Sequence, residues 1–255
     1  MSLKSKLHNN SLTLGSWITI GHPSIVEILS TAKFEWLTID MEHSVITLDI
    51  AQSLIATIKS KNMHALVRVG ANDPLIIKRV MDAGADGIIV PMINNRLDAL
   101  KAVNSVHYPP KGSRGVGLAR AQNYGIDFEN YKKWLDSDVV VIAQIEHIDA
   151  VKNIEEITSV DGIDGIIIGP YDLSGSLGIP GQLNHSKLRA AIKQVEDFCI
   201  QNNFPLGTHV IKPSYEECND KIKTGYTFIA FSLDFYFLGE KCRNEVEQLL
   251  LGDNN

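Results

Sequence analysis

Val139–Glu146 reads VVVIAQIE, an apolar run that ends on a carboxylate. Gly165–Asp172 reads GIIIGPYD and also reaches a carboxylate at its end. Apolar β-branched runs of this length are typical of strands covered on both faces, as in a parallel sheet flanked by helices. A carboxylate at the edge of such a strand loses hydration, which is costly unless a cation or hydrogen-bond donors meet it. Two carboxylates after consecutive strands therefore favour a shared cation.

The same kind of unit, an apolar run followed by a helical pattern, repeats along the whole chain. The predicted strands are Leu14–Ile20, Trp36–Met41, Ala65–Val69, Gly87–Met92, Val139–Glu146, Gly165–Gly169, Leu206–Val210 and Phe228–Leu233. Alternation of strands and helices predicts a parallel sheet. Eight units in 255 residues fit a closed (β/α)8 barrel, the TIM barrel, better than an open doubly wound sheet, so we expect one barrel domain over residues 1–255.

Helical patterns fill most of the intervals between these strands. The predicted helices are Leu48–Lys61, a helix opening at Asp73-Pro74, Leu97–Val106, Val151–Thr158, His185–Gln201 and Ser214–Thr224. The long connection from Pro109 to Tyr131 is rich in Gly and Arg, and we interpret it as an ordered loop.

Composition excludes several classes of function. The chain is 44% hydrophobic and 21% charged, with a net charge of −6 and no basic run, which argues against nucleic acid as a partner. No apolar run is long enough for a membrane span, and the first residues, MSLKSKLHNN, contain no signal-peptide core. Three scattered cysteines without a CxxC pair predict reduced thiols in a cytoplasmic protein.

Polar residues gather where the predicted strands end, the face on which such barrels place their chemistry. Glu146 and Asp172 are oxygen ligands of the kind that Mg²⁺ or Mn²⁺ prefers, with water or substrate completing the coordination. The alternative is that each carboxylate pairs with an arginine or caps a helix. Titratable groups at one rim favour an enzyme over a binding module.

Two further strand ends carry candidate catalytic groups. His43 follows the second strand and is a candidate general base, or else a loop histidine bonded to a neighbouring carboxylate. Arg68 ends the third strand and could bind an anionic substrate oxygen, or else pair with Asp40 or Glu42. Lys212, past the seventh strand, is the one lysine near a strand end, and we interpret it as a solvated loop residue rather than a Schiff-base lysine.

Six motifs, in order along the chain, resemble the HpcH/HpaI aldolases. They are IDMEH at 39–43, VRVGANDP at 67–74, MDAGADGIIVPM at 81–92, YPPKGSRGVG at 108–117, AQIE at 143–146 and IGPYDLSGSLGIPGQ at 168–182. The resemblance implies a class II, metal-dependent aldolase that reversibly cleaves a 4-hydroxy-2-oxo acid to pyruvate and an aldehyde through a pyruvate enolate. It also implies a trimer or hexamer in which the C-terminal helix, about 236–251, is swapped between subunits.

The resemblance also assigns roles to individual residues. Glu146 and Asp172 match ligands of Mg²⁺, Mn²⁺ or Co²⁺, while His43 matches the catalytic base and Arg68 the group that steadies the enolate oxygen. Asp82 matches an acid that reaches the histidine of a neighbouring subunit. The pyruvate pocket is matched by Gln144 and by the segment of Gly169, Pro170, Tyr171 and Asp172.

Two segments depart from the family pattern. GTHVIKP at 207–213 and FSLDFYF at 231–237 differ from it, which leaves the aldehyde and the roles of His209 and Tyr236 open. Two other functions remain as alternatives: a CoA-ester lyase of the citrate/malyl-CoA lyase type, and a non-catalytic sugar-acid-binding barrel. Such lyases are usually longer and carry more basic loops for the CoA phosphates, and the absence of these features argues against the first alternative. The retained Glu146, Asp172, His43 and Arg68 argue against the second.

Overall fold

Eight parallel strands form a closed barrel in the computed structural model, which describes residues 1–252. Each strand pairs with the next along the chain, and the last closes on the first. The strands are β1 (Thr13–Ile18), β2 (Trp36–Asp40), β3 (His64–Arg68), β4 (Gly87–Val90), β5 (Val140–Ile145), β6 (Gly165–Ile168), β7 (Leu206–Val210) and β8 (Phe228–Leu233). The predicted (β/α)8 barrel and all eight strands are confirmed, with ends that differ by at most two residues. The predicted domain end at residue 255 lies outside the described residues.

Helices follow the strands and cover the barrel. They are α1 (Leu3–His8), α2 (Pro23–Ser30), α3 (Leu48–Ser60), α4 (Pro74–Asp82), α5 (Arg96–Val106), α6 (Phe128–Ser137), α7 (Ile148–Lys152), α8 (Ile154–Thr158), α9 (Pro170–Ser176), α10 (Ser186–Gln201), α11 (Tyr215–Thr224) and α12 (Asp234–Gly252). No helix within residues 1–252 combines the length and apolar character that crossing a membrane requires. The three cysteines are free thiols.

Three helical predictions need correction. The connection 109–131 contains a 3₁₀ helix at Arg120–Gly125, and α6 already begins at Phe128, so only part of it is a loop. The helix predicted at Val151–Thr158 is divided at Asn153 into α7 and α8, and it starts earlier, at Ile148. The C-terminal helix is longer than predicted, because it starts at Asp234, directly after β8.

The barrel interior is a packed core that begins below the catalytic rim. Trp36 and Phe228 stack at 4.3 Å between ring centroids, and Leu3 and Leu7 of α1 belong to the same buried cluster. Gly15 makes this packing possible, since a Cβ there would lie 2.0 Å from the Trp36 ring. The side chains of this cluster fill the inside of the barrel below the carboxyl ends of the strands.

Stability should fall in mild acid because of His107, a histidine at the end of α5. Its imidazole is buried, and neither ring nitrogen has a hydrogen-bond partner within the described residues. Burial lowers the pKa of His107 from 6.5 to about 4. Below pH 6.5, His107 therefore binds a proton in the unfolded chain but stays neutral in the folded chain. The free energy of unfolding falls as the pH decreases, until the folded chain also becomes protonated near pH 4. The corresponding change in the free energy of unfolding is at most about 3 kcal/mol, and screening by water near the imidazole makes it smaller.

Urea unfolding at pH 7, 5.5 and 4.5 measures this effect. We expect the free energy of unfolding of His107→Leu to fall less over this range than that of the wild type. His22→Asn is the control, because His22 is exposed and asparagine keeps the acceptor that His22 Nδ1 provides to the Ser24 N–H at the start of α2. An unchanged pH slope in His107→Leu would contradict the assignment.

Candidate active site

A cavity of about 240 Å³ opens at the carboxyl ends of the strands. The residues that line it are Trp17, His43, Arg68, Gln144, Ile167, Ile168, Gly169, Pro170, Tyr171, Asp172, His209 and Ile211. Seven of the residues predicted from sequence, His43, Arg68, Gln144 and the segment 169–172, are therefore brought together. The described lining contains no lysine, and Lys212 is exposed.

Arg68 is held rigidly at the base of this cavity. Its Nε donates to Asp40 Oδ1 at 2.9 Å and its Nη2 donates to Asp40 Oδ2 at 2.6 Å. The two residues face each other across β2 and β3, and the guanidinium lies 4.5 Å from the centroid of the Trp17 ring. The two-pronged contact fixes the plane of the guanidinium. The alternative role considered for Arg68, an ion pair with Asp40, is therefore present. The same ion pair fixes the Arg68 guanidinium where it lines the cavity.

Asp40 also fixes the turn that follows β2, in addition to orienting Arg68. Its Oδ1 also accepts the backbone N–H groups of Glu42 at 3.0 Å and His43 at 3.2 Å. Burial opposes ionisation of Asp40, but Arg68 and these N–H groups outweigh burial and lower its pKa. The carboxylate is thus charged at neutral pH, and the turn that carries His43 is tied to the same group that orients Arg68.

Glu42 lies beside the free edge of Arg68. Its Oε2 is 3.3 Å from Arg68 Nη1 and 3.8 Å from His43 Nε2, and the atom is buried without a hydrogen bond within the described residues. Burial raises the pKa of Glu42 to about 6; Arg68 opposes this shift, while the charge of Glu146 adds to it. The His43 side chain is 62% exposed, which leaves its imidazole accessible to a ligand at the cavity mouth.

Glu146 follows β5 and is almost fully buried. Its Oε1 accepts the Met92 N–H at 2.7 Å, and its Oε2 accepts a hydrogen bond from Gln144 Nε2. Burial raises the pKa of Glu146; the two hydrogen bonds oppose this shift, and the charge of Asp172 adds to it. A cation bound by both carboxylates would offset the opposition between the two negative charges.

Asp172 belongs to the first turn of α9, three residues past Gly169, the predicted end of the sixth strand. Gly169 is the residue before this helix, and a Cβ there would lie 2.9 Å from Glu146 Cβ and 3.0 Å from Glu146 Oε2. The missing side chain lets the α9 turn approach Glu146. Within residues 1–252, no cluster of three or more His, Cys, Asp or Glu side chains is arranged to hold a metal.

Asp82 lies at the end of α4 and does not line the cavity. Its Oδ1 is 3.6 Å from Arg114 Nη2, and burial raises its pKa, with Arg114 opposing the shift. Arg114 is buried, donates to Tyr131 Oη at 2.8 Å and stacks on the Tyr108 ring at 4.3 Å, so it anchors the loop after α5. The proposed contact of Asp82 with a histidine of another subunit stays a prediction.

Sequence reasoning missed one residue that shapes the site, Trp17, and named Asp40 only as a possible partner of Arg68. Asp40 lies directly opposite Arg68 in the register of the two neighbouring strands. Trp17 lies within an apolar strand, where the sequence does not distinguish it from a core residue. Of the two residues left open, His209 lines the cavity, whereas Tyr236 packs against the cluster inside the barrel.

Comparison with known proteins gives one consistent result. The family model described as HpcH/HpaI aldolase/citrate lyase matches residues 13–238. A hydroxypyruvate/pyruvate aldolase of Sagittula stellata is 37% identical over 91% of this chain and 90% of its own length. A 2-dehydro-3,6-dideoxy-6-sulfogluconate aldolase of Pseudomonas putida is 34% identical over 96% of this chain and 95% of its own. The crystal structure of an HpcH/HpaI aldolase/citrate lyase family protein from Burkholderia cenocepacia superposes with a TM-score of 0.91 at 30% identity, covering 97% of this chain and 98% of that one.

Proposed function

Because this chain belongs to the HpcH/HpaI aldolase/citrate lyase family, we propose that it is a pyruvate aldolase whose active site is the cavity around Arg68 and Glu146. The reaction is the reversible cleavage of a 4-hydroxy-2-oxo acid to pyruvate and an aldehyde. The observation that supports this site most directly is the placement of Arg68, a cation locked to Asp40 in the cavity that Asp172 lines. Glu146 is not in the lining itself but lies buried directly behind Gly169 of the cavity wall.

We propose that Glu146 and Asp172 hold a divalent ion, Mg²⁺, Mn²⁺ or Co²⁺. The residues fit such an ion, since Asp172 lines the cavity and Gly169, also in the lining, lets the α9 turn lie close to Glu146 Oε2. Two carboxylates with water or substrate completing the coordination are the arrangement that hard divalent cations favour. When bound, the ion supplies Lewis-acid polarisation of a carbonyl oxygen. Gln144 holds Glu146 in place through its hydrogen bond.

The cationic and N–H groups around the cavity fit the anionic oxygens of pyruvate. Tyr171 and Asp172 are in the first turn of α9, where backbone N–H groups have no carbonyl partner inside the helix and can bind a carboxylate. Arg68 provides a fixed positive charge for the oxygen that becomes negative in the enolate. Because Asp40 holds the Arg68 guanidinium in place before the reaction, the guanidinium does not have to move as the negative charge of the enolate develops.

His43 is the proposed base. In cleavage it removes the proton of the 4-hydroxyl, the C3–C4 bond breaks, the hydroxyl carbon becomes the aldehyde carbonyl, and the bonding electrons form the enolate of pyruvate. Protonation of the enolate at C3 completes the reaction, and condensation is its reverse. The exposed position of His43 at the cavity mouth is consistent with access to the aldehyde half of the substrate.

Oligomerisation is proposed from α12. Leu238, Val246 and Leu249 are each more than half exposed on this helix, an apolar surface that a neighbouring subunit would cover. We propose a trimer or hexamer in the cytoplasm, in which Asp82 of one subunit approaches His43 of another. Light scattering of the purified protein measures the subunit number directly.

A glycine-to-alanine pair tests the placement of Glu146. Gly169→Ala should lower kcat/KM by about 10²-fold, because its Cβ would displace Glu146 and the α9 turn. Gly175→Ala, in the same helix, is the matched control: its Cβ meets nothing within 4 Å, and the change should stabilise the helix by up to about 1 kcal/mol. Steady-state kinetics and thermal melts of both variants measure this. Equal activities of the two variants would contradict the close approach.

The reaction itself is tested with pyruvate and a panel of short aldehydes, with Mg²⁺ or Mn²⁺ and with EDTA. The expected result is a 4-hydroxy-2-oxo acid that forms only when the ion is present. Activity that survives EDTA and is trapped by borohydride would instead indicate a lysine Schiff base and overturn the proposal.

A further inference from the structure

Asp82 occupies a position that is unfavourable for a carboxylate. It is the last residue of α4, where the helix dipole is negative. Its Oδ1 is buried and accepts no hydrogen bond in the part of the chain that the structure describes. Burial raises the pKa of Asp82. A carboxylate at such a position costs stability, which favours a role in function over a role in folding.

Arg114 is the cation beside this carboxylate. Its side chain is fully buried, and its Nη2 lies 3.6 Å from Asp82 Oδ1. Nη1 donates to the Val106 carbonyl oxygen at 3.0 Å, and Nη2 donates to Tyr131 Oη at 2.8 Å. Burial raises the pKa of Tyr131 to about 12, so this phenol is uncharged at neutral pH. Asp82 is the only carboxylate within ion-pair distance of Arg114 among the described residues.

The ion pair leaves the Asp82 carboxylate accessible. A distance of 3.6 Å is longer than a hydrogen bond, and the Asp82 side chain remains 22% exposed. Arg114 therefore provides a fixed charge that favours the ionised carboxylate without occupying its oxygens. The charge of Lys78, on the same helix, acts in the same direction more weakly. On α3, α5 and the 3₁₀ helix, which pack against α4, the charged side chains are exposed or bonded elsewhere: Asp49, Lys59, Arg96, Asp98, Lys101 and Arg120.

A second arginine holds the same end of α4 in a different way. Arg120 Nη1 donates at 3.0 Å to the carbonyl oxygen of Ala83, the residue after the helix. The segment between α5 and α6 thus fixes this helix end twice, through the backbone at Ala83 and through the carboxylate at Asp82. Arg120 is therefore a matched control for Arg114, because its contact does not involve the carboxylate.

We propose that Arg114 is a positioning residue of the reaction: it holds the Asp82 carboxylate in place and ionised, so that Asp82 can accept a hydrogen bond from His43 of another subunit. The inference rests on the proposed function, which brings these two residues together. An ionised carboxylate beside an imidazole favours the protonated form of the imidazole and so makes it a stronger base. Arg114 itself transfers no proton, because a guanidinium is not deprotonated in proteins.

The pH dependence of kcat/KM for pyruvate, with glycolaldehyde as acceptor and Mn²⁺ present, tests the inference. In Arg114→Met, loss of the positive charge raises the pKa of Asp82 and of the imidazole paired with it. The acid limb should therefore move by about one pH unit toward higher pH. Arg114→Lys retains the charge and should keep most of the wild-type position. A purely structural role would instead lower kcat/KM by the same factor at every pH.

Tyr131→Phe is the second variant if Arg114→Met does not fold. Without the phenol, Arg114 Nη2 is free to move toward Asp82, and the acid limb should move toward lower pH. Arg120→Met is the control, and it should leave the acid limb at the wild-type position. Asp82→Asn removes the group on which Arg114 acts, so adding Arg114→Met to it should move the limb no further.

Three outcomes would overturn the inference: an acid limb that stays in place in Arg114→Met, or in Tyr131→Phe where that variant is used; an equal shift in Arg120→Met; or a further shift when Arg114→Met is added to Asp82→Asn. The proposed function is judged separately, from the product that the wild type forms with Mn²⁺ and from its absence in EDTA. A wild type that forms this product, with variants that show none of the expected shifts, keeps the proposed function and loses only the role of Arg114.

Discussion

Replacing Glu146 with glutamine is expected to lower kcat by at least about 10³-fold while the protein stays folded. Glutamine has the shape of glutamate and can still accept the Met92 N–H, but it brings no charge to a divalent ion. Lewis-acid assistance is worth several kcal/mol, and each 1.36 kcal/mol is a tenfold change in rate. Burial makes the Glu146 carboxylate costly to ionise, so removing its negative charge should change the free energy of unfolding by no more than about 1 kcal/mol.

Mn²⁺ binding, followed by electron paramagnetic resonance, gives a second measurement that does not depend on activity. We expect Glu146→Gln to weaken Mn²⁺ binding at least about tenfold, the lower end of the effect of losing a charged partner. Glu156→Gln serves as control, since Glu156 is an exposed acid on α8. If Glu146→Gln kept both its Mn²⁺ affinity and its kcat, Glu146 would not be a ligand.

Arg68→Lys is expected to lower kcat by about 10²-fold, with a smaller effect on the free energy of unfolding. Lysine keeps the charge but cannot reproduce the two-pronged contact with Asp40 or the stacking on Trp17, so the cation loses its fixed position. Arg68→Met should be much less stable than Arg68→Lys, by about 3 kcal/mol, because it leaves the buried Asp40 carboxylate without its partner.

Kinetics and urea unfolding of the two variants separate these effects. Arg96→Lys is the matched control, since Arg96 is exposed and donates to Ser159 Oγ far from the cavity lining. A kcat of Arg68→Lys within threefold of the wild type would show that the fixed orientation of the guanidinium has no part in the reaction.

The barrel was predictable because its signal repeats. Eight buried strands produce eight apolar β-branched runs, and each is short enough to be separated from the helices by Gly, Pro or polar residues. The helices that sequence analysis missed, α1, α2, α6 and α9, are six to ten residues long, and their identity depends on packing against the barrel. Only Gly169 separates the end of β6 from the start of α9, so the sequence does not distinguish the first turn of this helix from the end of the strand.

The site was predictable where its residues directly follow strands. It was not predictable where a contact depends on how neighbouring strands are aligned. Glu146, Arg68 and His43 were named because each ends or follows an apolar run. The role of Asp40 depends on its position opposite Arg68 in the β2–β3 register, which sequence spacing does not determine. The hydrogen bond between His209 Nε2 and the Ser232 carbonyl oxygen joins β7 to β8, and no local sequence pattern indicates it.

Exchange of the pyruvate methyl protons with deuterium, followed by NMR without any aldehyde, tests the central claim most directly. The claim is that Glu146 and Asp172 hold a divalent ion where pyruvate forms its enolate. We expect the wild type to exchange these protons with Mg²⁺ or Mn²⁺, and we expect exchange to be lost with EDTA and in Glu146→Gln. Exchange that continues in EDTA, or in Glu146→Gln at the wild-type rate, would contradict the assignment of Glu146 and Asp172 as metal ligands.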